Sequence, residues 1–326
     1  MNTDFAPELA HEAILDVSHQ YVTPPQQSDG TSNQAEPQHD EIDSGLDEDE
    51  NTLSETKSLS PSVKEFAYVF DRRYHSDRFK SKYWAPNDEP QRDFMSWWHG
   101  ICYEAFDQKH FRAHIRDDAQ AILDVGTGSG AWVVDVSEAY RSSVVTGIDM
   151  SPIMPEEVPP NVLFEIDDFN EPWTFQPNSF DYIHMRFLTG SIKDWEYIMK
   201  QAFDCLKPGG ILESSEPSFL VESSDGTVNE ESAWSGWYNI FERYGSTSGQ
   251  TFSVVPQNVQ VNAMNQAGFQ NLEVFECEIP IGAWPQTEEK KKLEKPTPPA
   301  SLVSTRKPGF SSAAAKGLSN RHLLYA

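Results

Sequence analysis

The stretch AILDVGTGSG at residues 121–130 decides the fold of this chain. A short, mostly apolar run leads into three glycines at alternate positions, and a helical pattern follows over residues 131–140. A strand that turns through glycines into a helix is the ligand-binding corner of an open parallel sheet. Gly126 permits the tight turn, Gly128 lets a ligand approach the backbone, and Gly130 opens the helix.

Strand and helix patterns alternate on both sides of this corner. Beyond 121–125, strands are expected at residues 143–148, 162–166, 180–185, 210–214 and 272–279. Helices are expected at residues 92–106, 131–140, 194–206, 234–244 and 259–267. Strands separated by helices predict an α/β fold, a doubly wound, Rossmann-like sheet with helices on both faces.

Charge and composition divide the 326 residues into three parts. Residues 1–60 carry 14 acidic side chains and one basic one, which predicts a disordered acidic arm able to bind regulatory partners or to act as a solvated tail. Residues 61–285 hold the predicted domain. Residues 286–326 are rich in Lys, Pro and Ser without a helical or strand period, which predicts an atypical, unstructured tail.

Composition also excludes several functional classes. The net charge of −26 repels phosphates, so no direct nucleic-acid substrate is expected. A membrane span needs a run of about 18 apolar residues, and no run in the sequence approaches this length. The first residues also lack the basic region of a signal peptide. Three scattered cysteines form neither a disulfide framework nor a metal pattern. We therefore expect an intracellular protein with no metal; the family resemblance described below implies the cytoplasm or nucleus.

Two carboxylates near the glycines indicate which ligand binds. Asp124, two residues before the first glycine, suits a cationic amino-acid moiety better than a pyrophosphate. This argues against a NAD-dependent oxidoreductase, although Gly126, Gly128 and Ala131 also satisfy the dinucleotide pattern. Asp149 follows the glycines by about 20 residues, the spacing of an acid that binds ribose hydroxyls.

A second acidic pair follows the third strand. Asp167 or Asp168 could accept the amino hydrogen of an adenine, and Phe169 could cover the base. The alternative for these residues is a solvated turn.

Several segments resemble a known family. ILDVGTGSG, GIDMSP, FEIDDF and LKPGGIL resemble class I methyltransferases that depend on S-adenosylmethionine (SAM). SPIMPEEVPPNV, FDYIHMRFLTGSIKDW and PIGAWP resemble the fungal LaeA-like (TAM domain) members. The resemblance implies a methyltransferase with SAM as cofactor and a link to the regulation of fungal secondary metabolism, but it supplies no methyl acceptor, which could be a small molecule or a protein. It implies that Asp124, Gly126, Gly128 and Gly130 hold the methionine end, Asp149 the ribose and Asp168 the adenine. With Thr127, Asp167 and Phe169, these are the predicted cofactor-binding residues.

Catalytic residues are harder to identify, because methyl transfer from an activated sulfonium needs positioning more than acid–base help. His184 and Arg186, at the end of the fourth strand, are weak candidates. A packed histidine and a carboxylate-binding or ion-paired arginine are the competing interpretations. Tyr83, Arg92 and Trp98 could form a lid over the cofactor, with core packing the stronger interpretation for Trp98.

The resemblance ends after residues 281–285, IGAWP. Because residues 286–326 do not follow the family, we expect its final strand to be missing, which would leave the strand at 210–214 with an open edge. A substitute strand at residues 301–305 is the weaker alternative. A chain without that strand would be less stable and less active. A catalytically weak regulatory protein that acts through partners is therefore the alternative function.

Overall fold

The computed structural model describes residues 65–223, 225–279 and 320–325, and it describes side chains over the first two of these ranges. The predicted arm at residues 1–60 and most of the predicted tail lie outside the described residues. The described strands are β1 (Ala67–Val69), β2 (Arg72–Tyr74), β3 (Ala121–Val125), β4 (Val144–Asp149), β5 (Val162–Ile166), β6 (Phe180–Arg186), β7 (Leu206–Ser215), β8 (Glu273–Cys277) and β9 (Asn320–Tyr325). The helices are α1 (Glu89–Ala105), α2 (Ala131–Ala139), α3 (Trp195–Cys205), α4 (Ala233–Ser248) and α5 (Val259–Ala267).

Seven strands form one sheet in the order β5-β4-β3-β6-β7-β9-β8. The first five are parallel, whereas β9 runs antiparallel to both of its neighbours. The order reverses between β3 and β6, which is where ligands bind in open sheets of this kind. The doubly wound fold predicted from the sequence is confirmed.

Successive residues of the central strands pack into two separate hydrophobic cores, one on each face of the sheet. Ile122 of β3 belongs to the cluster that includes Trp132 and Val133 of α2. Leu123, the next residue, belongs to the cluster that includes Ile198 of α3 and Met264 of α5. Because neighbouring residues of a strand point to opposite faces, these clusters place helices on both sides of the sheet.

The strand at residues 121–125, the strand at 162–166 and the helix at 259–267 have the predicted bounds. Helix α1 begins earlier than predicted, because Asp88 caps it by accepting a hydrogen bond from the backbone N–H of Gln91. Strand β7 begins at Leu206 rather than residue 210, because residues 207–210 form a bulge opposite Asp181 of β6. The short β1–β2 hairpin was not predicted.

The expectation that the final strand is missing is wrong, because β9 occupies its place. Leu324 pairs with Ser214 of β7 on one side and with Val274 of β8 on the other. The interpretation of residues 286–326 as unstructured therefore fails at residues 320–325, and the substitute at 301–305 lies outside the described residues. The structure closes the edge of β7 that the sequence left open.

Among the described residues, the structure contains no helix that is long and apolar enough to cross a membrane.

Candidate functional site

A cavity of about 590 Å³ opens at the carboxyl ends of β3, β4 and β6. Eight of the predicted site residues line it: Asp124, Gly126, Thr127, Gly128, Asp149, Phe169, His184 and Arg186. The order of the sheet brings these residues together from four separate stretches of sequence. Three predicted residues, Gly130, Asp167 and Asp168, do not line the cavity.

The glycine loop needs glycine for two different reasons. Gly126 and Gly128 have φ values of +69° and +56°, which side chains rarely adopt. A Cβ atom on Gly128 would lie 3.2 Å from the sulfur of Met95 on α1, so the loop and this helix enclose the cavity closely. A Cβ atom on Gly130 would lie 2.6 Å from the ring of Phe164 on β5. Gly130 therefore serves close packing between the loop and the sheet.

Asp149 holds the loop from the end of the neighbouring strand. Its Oδ2 accepts a hydrogen bond from the backbone N–H of Gly128 at 2.9 Å, and its Oδ1 accepts one from Ser151 at 2.8 Å. Burial raises the pKa of this carboxyl to about 6, although both hydrogen bonds act in the opposite direction. A carboxylate that lines the cavity at this position can accept hydrogen bonds from ribose hydroxyls.

The acidic pair after β5 is turned toward the protein. Asp168 is buried, and its two oxygens accept hydrogen bonds from the backbone N–H groups of Ser81 and Asn170. Asp167 accepts a hydrogen bond from the N–H of Asp168 itself. Phe169 lines the cavity, and the adenine roles of all three residues stay predictions.

Asp124 and His184 form a buried pair across β3 and β6. Nδ1 of His184 lies 2.7 Å from Oδ1 of Asp124, and both side chains are almost completely buried. The imidazole stacks on the indole of Trp132, with ring centroids 3.9 Å apart and planes within 1° of parallel. His184 is therefore a packed, hydrogen-bonded histidine that orients the carboxylate of Asp124.

Arg186 belongs to a polar network that sequence reasoning missed. Nη2 of Arg186 lies 2.8 Å from Nδ1 of His99 on α1, and Nε2 of His99 lies 2.8 Å from Oδ2 of Asp135 on α2. His110 stacks on His99. The hydrogen bond from His99 lowers the pKa of Asp135. Nothing in the sequence pairs α1 with α2, so only the fold could place these groups together.

The ligand atoms of His99, His110 and Asp135 lie within 4.8 Å of one another, as in a metal site. The guanidinium of Arg186 donates to the free nitrogen of His99, which leaves the proton of the neutral ring on the nitrogen that faces Asp135. A metal cation bound there would have to displace that proton and would lie close to the positive charge of Arg186. The cluster is better described as a support for Arg186.

The predicted lid is formed only in part. Tyr83 and Trp98 line the cavity, but Arg92 instead pairs with Glu89 at 2.9 Å.

A further group that sequence reasoning missed is Glu216, which is buried just after β7. It accepts hydrogen bonds from the backbone N–H groups of Leu188 and Thr189 and so fixes the loop that follows β6. Burial raises the pKa of Glu216 to about 7.

SAM fits this cavity on the observations above. The carboxylate of Asp124 and the guanidinium of Arg186 both line the cavity and offer charges opposite to those of an amino acid. Asp149 offers a carboxylate to ribose, and Ile153 and Phe169 offer apolar surface to a base. Ser191, which also lines the cavity, has a buried hydroxyl without a hydrogen-bond partner among the described residues.

Comparisons with known proteins identify the family of this chain. A family model described as a methyltransferase domain matches residues 97–274. Methyltransferase pytC of Aspergillus terreus is 34% identical over 236 residues, which cover 72% of this chain and 72% of that protein. The secondary metabolism regulator laeA of Aspergillus flavus is 28% identical over 247 residues, which cover 75% of this chain and 66% of that protein.

Among solved structures, a phosphoethanolamine N-methyltransferase of Haemonchus contortus is 20% identical to this chain, with a TM-score of 0.45. The alignment covers 73% of this chain and 58% of that one. This resemblance is too distant to bear on ligand or substrate. The family match and the identity to pytC extend over the whole glycine-loop half of the sheet. The chain therefore belongs to the class I SAM-dependent methyltransferases of the LaeA-like family.

Proposed function

We propose that this methyltransferase acts in fungal secondary metabolism, either as a biosynthetic enzyme or as a regulator. The names of its relatives, methyltransferase pytC and secondary metabolism regulator laeA, support this assignment. SAM supplies a methyl group already activated on a sulfonium, so the protein has to bind and orient it and exclude water.

The observation that carries the proposal is the pair of opposite charges beside the glycine loop. Asp124, oriented by His184, accepts hydrogen bonds from the ammonium of the methionine moiety. Arg186 binds its carboxylate, since no acidic side chain among the described residues forms an ion pair with this guanidinium. Asp149 binds the ribose hydroxyls, and Phe169 covers the adenine. His184 and Arg186 thus bind and orient rather than transfer protons.

We also propose that the protein works inside the cell, in the cytoplasm or nucleus, and that its acceptor is not a nucleic acid. The free thiols of Cys102, Cys205 and Cys277 and the net charge of −26 support these statements. Binding of regulatory partners by residues 1–60 remains a separate proposal, supported by the acidic composition of that arm.

Calorimetric titration of the full chain with S-adenosylhomocysteine, the demethylated product, tests the proposal. We expect saturable binding that weakens in Asp149→Ala, and no binding of NAD⁺. Binding of NAD⁺ in preference to the product, or no binding of either by folded protein, would contradict the assignment. Product binding without any methylated species in fungal extracts supplied with labelled SAM would favour the regulatory alternative.

A further inference from the structure

One side of the cavity is bounded by aromatic side chains on and near α1. Phe94 and Trp98 of this helix and Phe187, which follows β6, all line the cavity. The ring centroids of Phe94 and Trp98 lie 6.1 Å apart, and those of Trp98 and Phe187 lie 5.4 Å apart. We call these three residues the α1 wall.

A second aromatic group faces the cavity from α4, from the segment after β7 and from the segment before α1. Its members, here called the α4 wall, are Trp84, Phe219, Trp237 and Phe241. The centroid of Phe241 lies 5.4 Å from that of Trp84, 4.7 Å from that of Phe219 and 5.0 Å from that of Trp237. These rings hold one another in edge-on and tilted contacts, which gives the wall a fixed shape.

The acidic groups of the cavity lie beside the glycine loop, and the guanidinium of Arg186, 5.9 Å from the ring centroid of Phe187, is taken up by the cofactor carboxylate under the proposed function. Asp124 and Asp149 are the only acidic residues among the described lining residues, and both have protein partners there. No carboxylate is therefore available at the aromatic walls to balance a cation. Lys82, which also lines the cavity, pairs with Asp77, so no unpaired lysine faces an anion.

The α4 wall also reaches solvent. Trp237 is 50% exposed and yet lines the cavity, so it lies at the mouth. Ile240, on the same helix, is 60% exposed and does not line the cavity. The exposed apolar surface of α4 thus continues beyond the cavity, and Trp237 belongs to the part of it that forms the entrance.

We propose that the space between the α1 wall and the α4 wall is the methyl-acceptor site and that it takes an uncharged, planar ring compound, a small molecule rather than a protein side chain. The inference rests on the proposed function, because it assumes that the cofactor occupies the charged end. Planar rings pair with aromatic walls through their faces and edges, and mostly apolar pockets with few polar groups are typical of small-molecule sites.

Methyl transfer to the ring compound needs no base from the protein. A nucleophilic atom on the ring compound bonds to the methyl carbon while the carbon–sulfur bond breaks, and the electron pair of that bond stays on sulfur. The proton of the nucleophile passes to water at the mouth beside Trp237. Within the site, the two walls orient the ring and exclude water from its faces.

The test uses 2-naphthol as the probe and full-length protein saturated with S-adenosylhomocysteine. We expect calorimetric binding of 2-naphthol that weakens about 10-fold in Trp237→Ala, from loss of one packed ring. Trp237→Phe should recover most of the affinity. Ile240→Ala, the matched control on the same helix, should bind like the wild type, and all three variants should bind S-adenosylhomocysteine like the wild type. Methyl transfer from labelled SAM to 2-naphthol should follow the same order.

Several results would overturn the inference. These are no binding of 2-naphthol, equal binding by Trp237→Ala and the wild type, tighter binding of the cation choline than of 2-naphthol, or transfer to peptides in place of ring compounds. If the wild type fails to bind S-adenosylhomocysteine, the proposed function fails instead. The naphthol titration, repeated on the free protein, then still decides whether the walls bind rings.

Discussion

The two sides of the sheet are built on different principles. From β5 to β6, the sheet is built from four strands that follow one another in sequence, β3 to β6 within residues 121–186, and the ligand-binding loop lies within this part. At the other side, β7 and β8 do not pair with each other but are joined through β9. Most of the predicted binding residues therefore come from one continuous part of the chain, residues 121–186, whereas the integrity of the far edge depends on a distant segment. The predictions below separate these two dependences.

The largest effect is expected from Gly128→Arg, which changes the binding side alone. The new side chain would need φ near +56°, would meet Met95 and would enter the cavity. We expect the affinity for S-adenosylhomocysteine to fall about 1,000-fold, or about 4 kcal/mol, by calorimetry. Gly226→Arg is the matched control, because Gly226 has φ +75° but no heavy atom within 4 Å of its Cβ position. Equal losses in both variants would mean that backbone strain alone, rather than the cavity, determines binding.

Leu324→Pro tests the other side. Proline removes a backbone donor and cannot be accommodated easily in a strand with neighbours on both sides. We expect the free energy of unfolding to fall by about 3 kcal/mol, measured by chemical denaturation, while folded protein keeps its affinity for S-adenosylhomocysteine. Leu324→Ala retains the N–H and serves as the control. Similar losses in the proline and alanine variants would show that ladder hydrogen bonds at β9 matter little.

Glu216 lies where the two sides meet, and its titration gives a smaller effect. Because its folded pKa of about 7 lies above the ordinary value of 4.5, the folded protein holds this proton more tightly than the unfolded chain. Its contribution to stability is therefore greatest at low pH and falls as pH rises through this window.

Chemical denaturation of wild type and Glu216→Gln across this range measures the contribution. Between about pH 5 and pH 8, we expect the wild type to lose on the order of 2 kcal/mol relative to Glu216→Gln. The exposed Glu157→Gln should show no such relative change. A constant difference between wild type and Glu216→Gln would mean that the carboxyl stays ionised throughout.

The smallest effect concerns one contact within the binding side. Arg186→Gln should weaken binding of S-adenosylhomocysteine about 10-fold, or about 1.4 kcal/mol. Binding of 5′-methylthioadenosine, which lacks the amino-acid moiety, should not change. The surface variant Arg141→Gln is the control. If both ligands weaken equally, Arg186 supports the shape of the cavity through His99 and does not bind the carboxylate.

The sequence predicts features that depend on neighbouring residues better than features that depend on distant ones. The strand at 121–125, its glycines and Asp149 were predicted because each depends on a few neighbouring residues. The network of Arg186, His99 and Asp135 was missed because it joins two helices and a strand that only the fold brings together. The strand at residues 320–325 is not predictable in the same way, because a six-residue strand between two partners has no long pattern of its own.

The roles of Asp167 and Asp168 show a second reason why sequence alone could not assign every site residue. An acidic pair after a strand suits a ligand and suits a turn equally well, and the sequence carries no information on which backbone N–H groups lie nearby. The structure supplies those groups in Ser81, which is far away along the chain, and in Asn170.

The position of β9 has a consequence for the order in which the chain is synthesised. The five parallel strands emerge from the ribosome before β8, and each can pair with a neighbour that has already been made. Strand β8 cannot join them, because residues 278–319 must still be translated before its only described partner in the sheet exists. At about 5 to 20 residues per second, this delay lasts seconds. During that time β7 exposes an unpaired edge, so molecular chaperones would meet this protein at β7 and β8.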